Sequence, residues 1–115
     1  MKSSQEKRRI SSKELDQLIS ENIADGNLTL GALLENHGYS NDLTAIKIDM
    51  SKYKQLDQLD MSGLVLTNCK IKGLSAASIS FEGTNLTNAN INFAKGNESK
   101  VDFKNAIIHR AMIET

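Results

Sequence analysis

From Lys54 onward a hydrophobic residue recurs every five positions: Leu56, Met61, Leu66, Ile71, Ala76, Phe81, Leu86 and Ile91. A second column lies two residues ahead of the first and holds Leu59, Leu64, Cys69, Leu74, Ile79 and Ala89, with Lys54 and Thr84 as its exceptions. A five-residue period fits neither the 3.6 of a helix nor the 2 of a flat strand, so the chain must turn a corner inside each unit. Leu66-Thr67-Asn68 and Leu86-Thr87-Asn88 are the same tripeptide twenty residues apart, each followed by isoleucine at position 71 or 91. Twenty residues is four units of five, which reads as one circuit of a stacked array. Eight units run from Lys54 to Phe93. Residues 94–100 (AKGNESK) shift the phase by two and contain Gly96 and Asn97, so a protruding turn is expected there. Three further units, VDFKN, AIIHR and AMIET, restore the period.

The first half of the chain follows a different rhythm. Residues 1–10 are polar and basic, and a disordered tail is expected. Ser11 and Glu14 have the spacing of a capping box, and Ile10 with Leu15 has that of a hydrophobic staple. Leu15, Leu18, Ile19 and Ile23 then fall on one helical face, and Asp25-Gly26-Asn27 ends the run. A second helix is expected over residues 29–36, with Leu30, Leu33 and Leu34 inward and Gly38 as its left-handed terminator. The two read as a helical hairpin. Ile46-Lys47-Ile48 alternates like a strand, and Tyr53 is placed at a junction. The expected domains are therefore a tail at 1–10, a helical cap with its transition at 11–49, and the repeat array at 50–115.

Composition narrows the picture. The chain has 115 residues, 39% hydrophobic content and no Trp, enough for one compact domain built on Leu, Ile, Val, Ala and Met. Formal net charge is zero, which argues against a general nucleic-acid binder. One cysteine excludes an intrachain disulfide and suits a reducing compartment, the cytoplasm. No apolar run approaches the roughly 20 residues of a membrane span. The start MKSSQEKRRISSK lacks the apolar stretch of a cleaved signal peptide but is compatible with an uncleaved export signal.

The pentads resemble those of the pentapeptide-repeat family, whose motif is written A(D/N)LXX. ANINF (Ala89 to Phe93) matches it directly; TNLTN (Thr84 to Asn88) and VDFKN (Val101 to Asn105) match apart from the first residue, and LDMSG is a looser relative. The resemblance covers residues 54–115. It implies a mainly β fold, a right-handed quadrilateral β-helix with one pentapeptide per side, whose N-terminal end the α-helical hairpin would cap. Leu66 should lie over Leu86, Ile71 over Ile91, and Cys69 over Ala89. Thr115 directly follows a repeat, which fits self-association through the last coil, a covering partner, or a longer parent chain.

Candidate chemistry is sparse. Cys69 points inward beside Leu64 and Leu74, as a packed core thiol rather than a nucleophile. His37 precedes Gly38 at a helix end, and His109 falls in an outward slot. With Cys69 they form no zinc motif, and no phosphate loop or nucleophile elbow is present. Asp57 and Asp60 read as solvated surface. Lys70 and Lys72 flank the inward Ile71 and could form a basic spot with Lys95 or Lys100. The expected role is a non-catalytic protein-interaction module without cofactor or metal, of the kind found among bacterial secreted effectors. Its partner would be a protein of unidentified kind or a second copy, with no nucleic acid. Two alternatives stand beside it. One is a DNA-mimicking gyrase inhibitor, for which the repeat region lacks a strong acidic excess. The other is the substrate-binding part of a larger effector ubiquitin ligase.

Overall fold

The computed structural model describes residues 7–23, 26–53, 56–95 and 98–114. Helix α1 (Ser12–Asn22) starts as its sequence dictates. Ser11 Oγ accepts the Glu14 amide at 3.1 Å and Glu14 returns a carboxylate oxygen to the Ser11 amide at 3.0 Å, which closes the capping box. Its buried face carries Leu15, Leu18 and Ile19. Strand β1 (Asn27–Thr29) follows, then helix α2 (Leu30–Asn36). Past α2, Tyr39 N–H donates to Leu34 O and Gly38 N–H to Glu35 O, with Gly38 at φ +78°, the paired bonds of a Schellman cap. The remaining strands are β2 (Lys47–Asp49), β3 (Leu56–Asp60), β4 (Lys70–Leu74), β5 (Ala76–Ser80), β6 (Asn90–Phe93), β7 (Lys100–Asp102) and β8 (Met112–Glu114).

Strands alternate between two parallel sheets, in order β1-β3-β5-β7 and β2-β4-β6-β8. Leu56 pairs with Ala76 and Ile71 with Ile91, so the chain returns to each sheet after twenty residues in this stretch. Ile79 pairs with Val101 and Ile91 with Ile113, two residues later than that spacing, as the phase shift at 94–100 requires. Gly96 and Asn97 of that turn lie outside the described residues.

The expected architecture needs correction. The chain is an α/β arrangement of two parallel four-stranded sheets with two helices, not a mainly β quadrilateral β-helix capped by a helical hairpin. Two observations carry the change. Three of the eleven pentads, LVLTN, TNLTN and AIIHR, form no strand and are turns joined by isolated bridges, Asp42 to Val65 to Asn85 to Ile107. The helices are separated by β1, whose Leu28 pairs with Leu59, and they pack on different sheets, α1 on β2 and α2 on β3. Within 11–49, β1 and β2 supply the first strand of each sheet that 50–115 continues. Residues 1–6 lie outside the described residues, but Arg8 bridges to Tyr39, Arg9 donates to Thr44 O and Ile10 is buried.

The core lies between the sheets. Each described member of the two apolar columns from Leu56 to Ile91 is buried, joined by Leu28, Leu43, Ile48 and Met50 from the first half. Thr84 is also fully buried, and its hydroxyl donates to the Met61 carbonyl at 2.6 Å. That bond removes the desolvation cost of a buried hydroxyl, on the order of 1–3 kcal/mol.

Corners are built by one repeated device. A carboxylate, amide or hydroxyl on the residue before an inward apolar side chain accepts the amide two positions on. Asp42 to Thr44, Asp49 to Ser51, Asp60 to Ser62, Asn85 to Thr87 and Asp102 to Lys104 all do so. In the first four the following hydroxyl donates to the same oxygen. Behind it a left-handed residue closes the turn at four of the five: Ala45 at φ +65°, Gly63 at +69°, Asn88 at +59° and Asn105 at +59°. Gly and Asn are the residue types that accept this conformation most readily.

Gly73 is the tightest backbone position. It sits at φ +76° inside β4, and a Cβ there would lie 2.6 Å from Ser51 Cβ and 2.7 Å from its Cα and N. Gly73→Ala is expected to cost about 2–4 kcal/mol, from a left-handed alanine plus a backbone clash. Chemical denaturation checks it, and a loss below about 1 kcal/mol would show that β2 can move away from β4 freely.

Candidate functional site

The polar residues singled out in the sequence are scattered by the fold. Cys69 is fully buried, and its Sγ–H donates to Leu43 O at 2.7 Å. Burial pushes the thiol up to about 11, only partly offset by the backbone amides of Ile46 and Ala45. This is a core thiol held in its protonated form. His37 is exposed at the end of α2, with Nδ1 3.0 Å from Leu33 O, so it serves as a cap of the last turn. His109 is exposed on the turn before β8. Asp57 is exposed, while Asp60 is committed to its Ser62 corner. Among the described residues no group of three or more His, Cys, Asp or Glu lies close enough to hold a metal ion. None of their helices is long and apolar enough to cross a membrane.

Two surfaces remain with features that the fold itself does not use. The first is the edge formed by β7 and β8. Here the inward columns continue as Val101, Phe103, Ile108 and Ile113, directly above the buried Ile79, Phe81, Leu86 and Ile91. Phe103 stacks on Phe81 with centroids 5.5 Å apart. Its layer has a neighbour on one side only, so Ile108 is 50% exposed and Met112 54%, with Ile107 and Ile113 also open. Each sheet ends there in a strand paired along one side only among the described residues.

The second is the outward face of the β2-β4-β6 sheet, a cleft of about 330 Å³ lined by Lys47, Asp49, Lys70, Lys72, Asn90 and Asn92 over Ile48 and Ile71. Lys70 and Lys72 do share this face, as neighbours of the inward Ile71. Their companion is Lys47, which is in register with Lys70, rather than Lys95 or Lys100. Lys100 belongs to β7 of the other sheet and Lys95 to the turn after β6. Sequence reasoning missed Lys47 because Lys47 and Lys70 are twenty-three residues apart, outside the twenty-residue period. The alternation Ile46-Lys47-Ile48 was the available signal: it places Lys47 outward on the strand that starts this sheet.

Compared with known protein families, curated proteins and solved structures, the chain matches none.

Acid titration should expose the corner bonds. The Thr44 hydroxyl and then its amide hold Asp42 below the usual carboxylate range, with help from Arg9. The Ser51 hydroxyl and amide do the same for Asp49, followed by Lys72 and Lys52. The Ser11 amide lowers Glu14. Folded-state values below the unfolded ones mean that the folded chain binds fewer protons. The stabilisation is complete above the ordinary carboxylate pKa and is lost as pH falls through the folded values. Tm should therefore fall below about pH 4, and Asp42→Asn, which keeps an acceptor, should flatten part of that slope. An unchanged slope in thermal melts of the variant would remove Asp42 from this account.

Cys69 gives a second test. At pH 8 a thiol with that pKa is about one-thousandth thiolate, and burial adds a barrier to any reagent. A disulfide reagent should leave the native protein unlabelled and should take up one thiol per chain in denaturant. Rapid labelling of the native protein would mean that the Leu43–Cys69 layer opens.

Proposed function

We propose that this chain is a non-catalytic protein-interaction module that associates through the edge made by β7 and β8, its partner there being a second copy of itself. The observation that carries this is the exposed apolar Ile108 and Ile113, which continue the core columns at the ends of both sheets, with Ile107 and Met112 exposed beside them. Unpaired strand edges are templates for further pairing, and exposed contiguous apolar surface marks interaction sites. A two-fold arrangement suits such a surface, because each copy supplies both what the other lacks and what it needs. The rim carries both signs, Lys100, Lys104 and Arg110 with Asp102 and Glu114, so two copies need not repel. The resemblance of the pentads to a family rich in binding proteins is compatible with this role. A DNA-mimicking role has less behind it, since Lys47, Lys70 and Lys72 make one face of the molecule basic.

Light scattering on the intact chain tests the proposal. The expected result is a species of about twice 12.6 kDa that Ile108→Asp converts to monomer, since one charge per copy placed in the apolar layer opposes its burial. Ile108 is half exposed, so the substitution should leave the circular dichroism spectrum intact. A monomer of 12.6 kDa for the unmodified chain at high micromolar concentration would overturn it.

A further inference from the structure

We infer that the outward face of the β2-β4-β6 sheet binds an acidic, extended peptide segment, with Lys47 and Lys70 as its principal anchors. The inference rests on the interaction-module reading and assigns it a second surface, away from the β7-β8 edge, with a partner of stated chemistry.

Register makes the first argument. Lys47 and Lys70 are direct partners on adjacent parallel strands, about 4.8 Å apart along the pairing direction. Both are exposed, and among the described residues neither has an ion-pair partner. Like charges directly opposite one another oppose sheet pairing. The fold gains nothing from them there, whereas an anionic ligand would relieve them.

The neighbouring acids are already engaged. Asp49 lies 3.8 Å from Lys72 and accepts from Ser51, and Glu114 accepts from the Asn92 amide at 2.9 Å. The cleft therefore presents three lysines against one aspartate, and the unpaired charge is concentrated at Lys47 and Lys70.

Shape and spacing favour an extended peptide. Lys70 and Lys72 project from the same strand two residues apart, about 6.6 Å, which is the spacing of alternate side chains on an extended segment. The lining also holds the side-chain amides of Asn90 and Asn92, whose N–H groups can donate to a peptide carbonyl. Lys47 and Lys70 stand side by side on this outward face, while Ile48 and Ile71 between the lysine rows are buried on the other face of the sheet.

The test uses fluorescence anisotropy of a labelled peptide of alternating Glu and Ser, titrated with the full chain. A Lys-Ser peptide and a single-stranded oligonucleotide serve as comparison probes. The Glu-Ser peptide is expected to bind in a salt-sensitive manner, and the Lys-Ser peptide not to bind. The double variant Lys47→Gln/Lys70→Gln should weaken binding about tenfold, the size expected for losing two partly exposed ion pairs. It should melt no lower than the parent, which separates loss of binding from loss of fold. Absence of binding, binding unchanged in the double variant, or tighter binding of the oligonucleotide through the same lysines would overturn the inference. Ile108→Asp keeps the two proposals distinguishable. If the edge reading fails but the groove stands, the unmodified chain is monomeric and still binds the peptide. If only the groove fails, dimers form and the peptide does not bind.

Discussion

Stacking in register at a fixed return length is the constraint on which this molecule depends. Ile48, Ile71, Ile91 and Ile113 lie on four consecutive strands of one sheet, each paired with the next. Leu28, Leu59, Ile79 and Val101 do the same in the other. A slip of one residue on either sheet would turn a full row of side chains from the interior to the surface. The return length is in turn held by the corners. At Asp42, Asp60, Asn85 and Asp102 the corner couples one inward side chain to a carboxylate or amide clamp on one side and a left-handed residue on the other. The polar turns and the apolar interior are thus parts of a single repeated solution.

That coupling explains why some of the structure could be read from the chain and some could not. The apolar columns were legible because every fifth residue had to be hydrophobic, and the shared tripeptides at Leu66 and Leu86 gave the repeat distance directly. The cap of α1 was legible because Ser11 and Glu14 satisfy it with no outside help. The fold class was misread in the first half, where tertiary pairing decides. Asn27-Leu28-Thr29 offers one apolar residue and no extended pattern; it becomes a strand because β3 lies alongside it. Without that strand, α1 and α2 looked like consecutive helices of a hairpin.

The candidate surfaces divide along the same line. The open apolar layer was visible in outline, since VDFKN, AIIHR and AMIET continue the columns without further units above them in the described chain. The basic cleft was visible only in part. Lys70 and Lys72 advertise themselves on either side of Ile71, but Lys47 reaches them through a return three residues longer than the period. The roles of Asp42, Asp49, Asp60 and Asn85 were hidden for a different reason. An Asp or Asn followed two positions later by Ser or Thr is common in ordinary loops, and only the inward residue between them distinguishes a corner.

The distribution of left-handed corners has an implication for how the molecule breathes. In the column of turns that runs through Asn68 and Asn88, the two outermost places are taken by Ala45 and Arg110, at φ +65° and +59°. Asparagine tolerates that backbone shape far better than alanine or arginine does. Conformational tension is therefore gathered at the two extremities of the column and absent from its middle. Transient opening would begin at either extremity, reaching the central layer around Cys69 and Ala89 last.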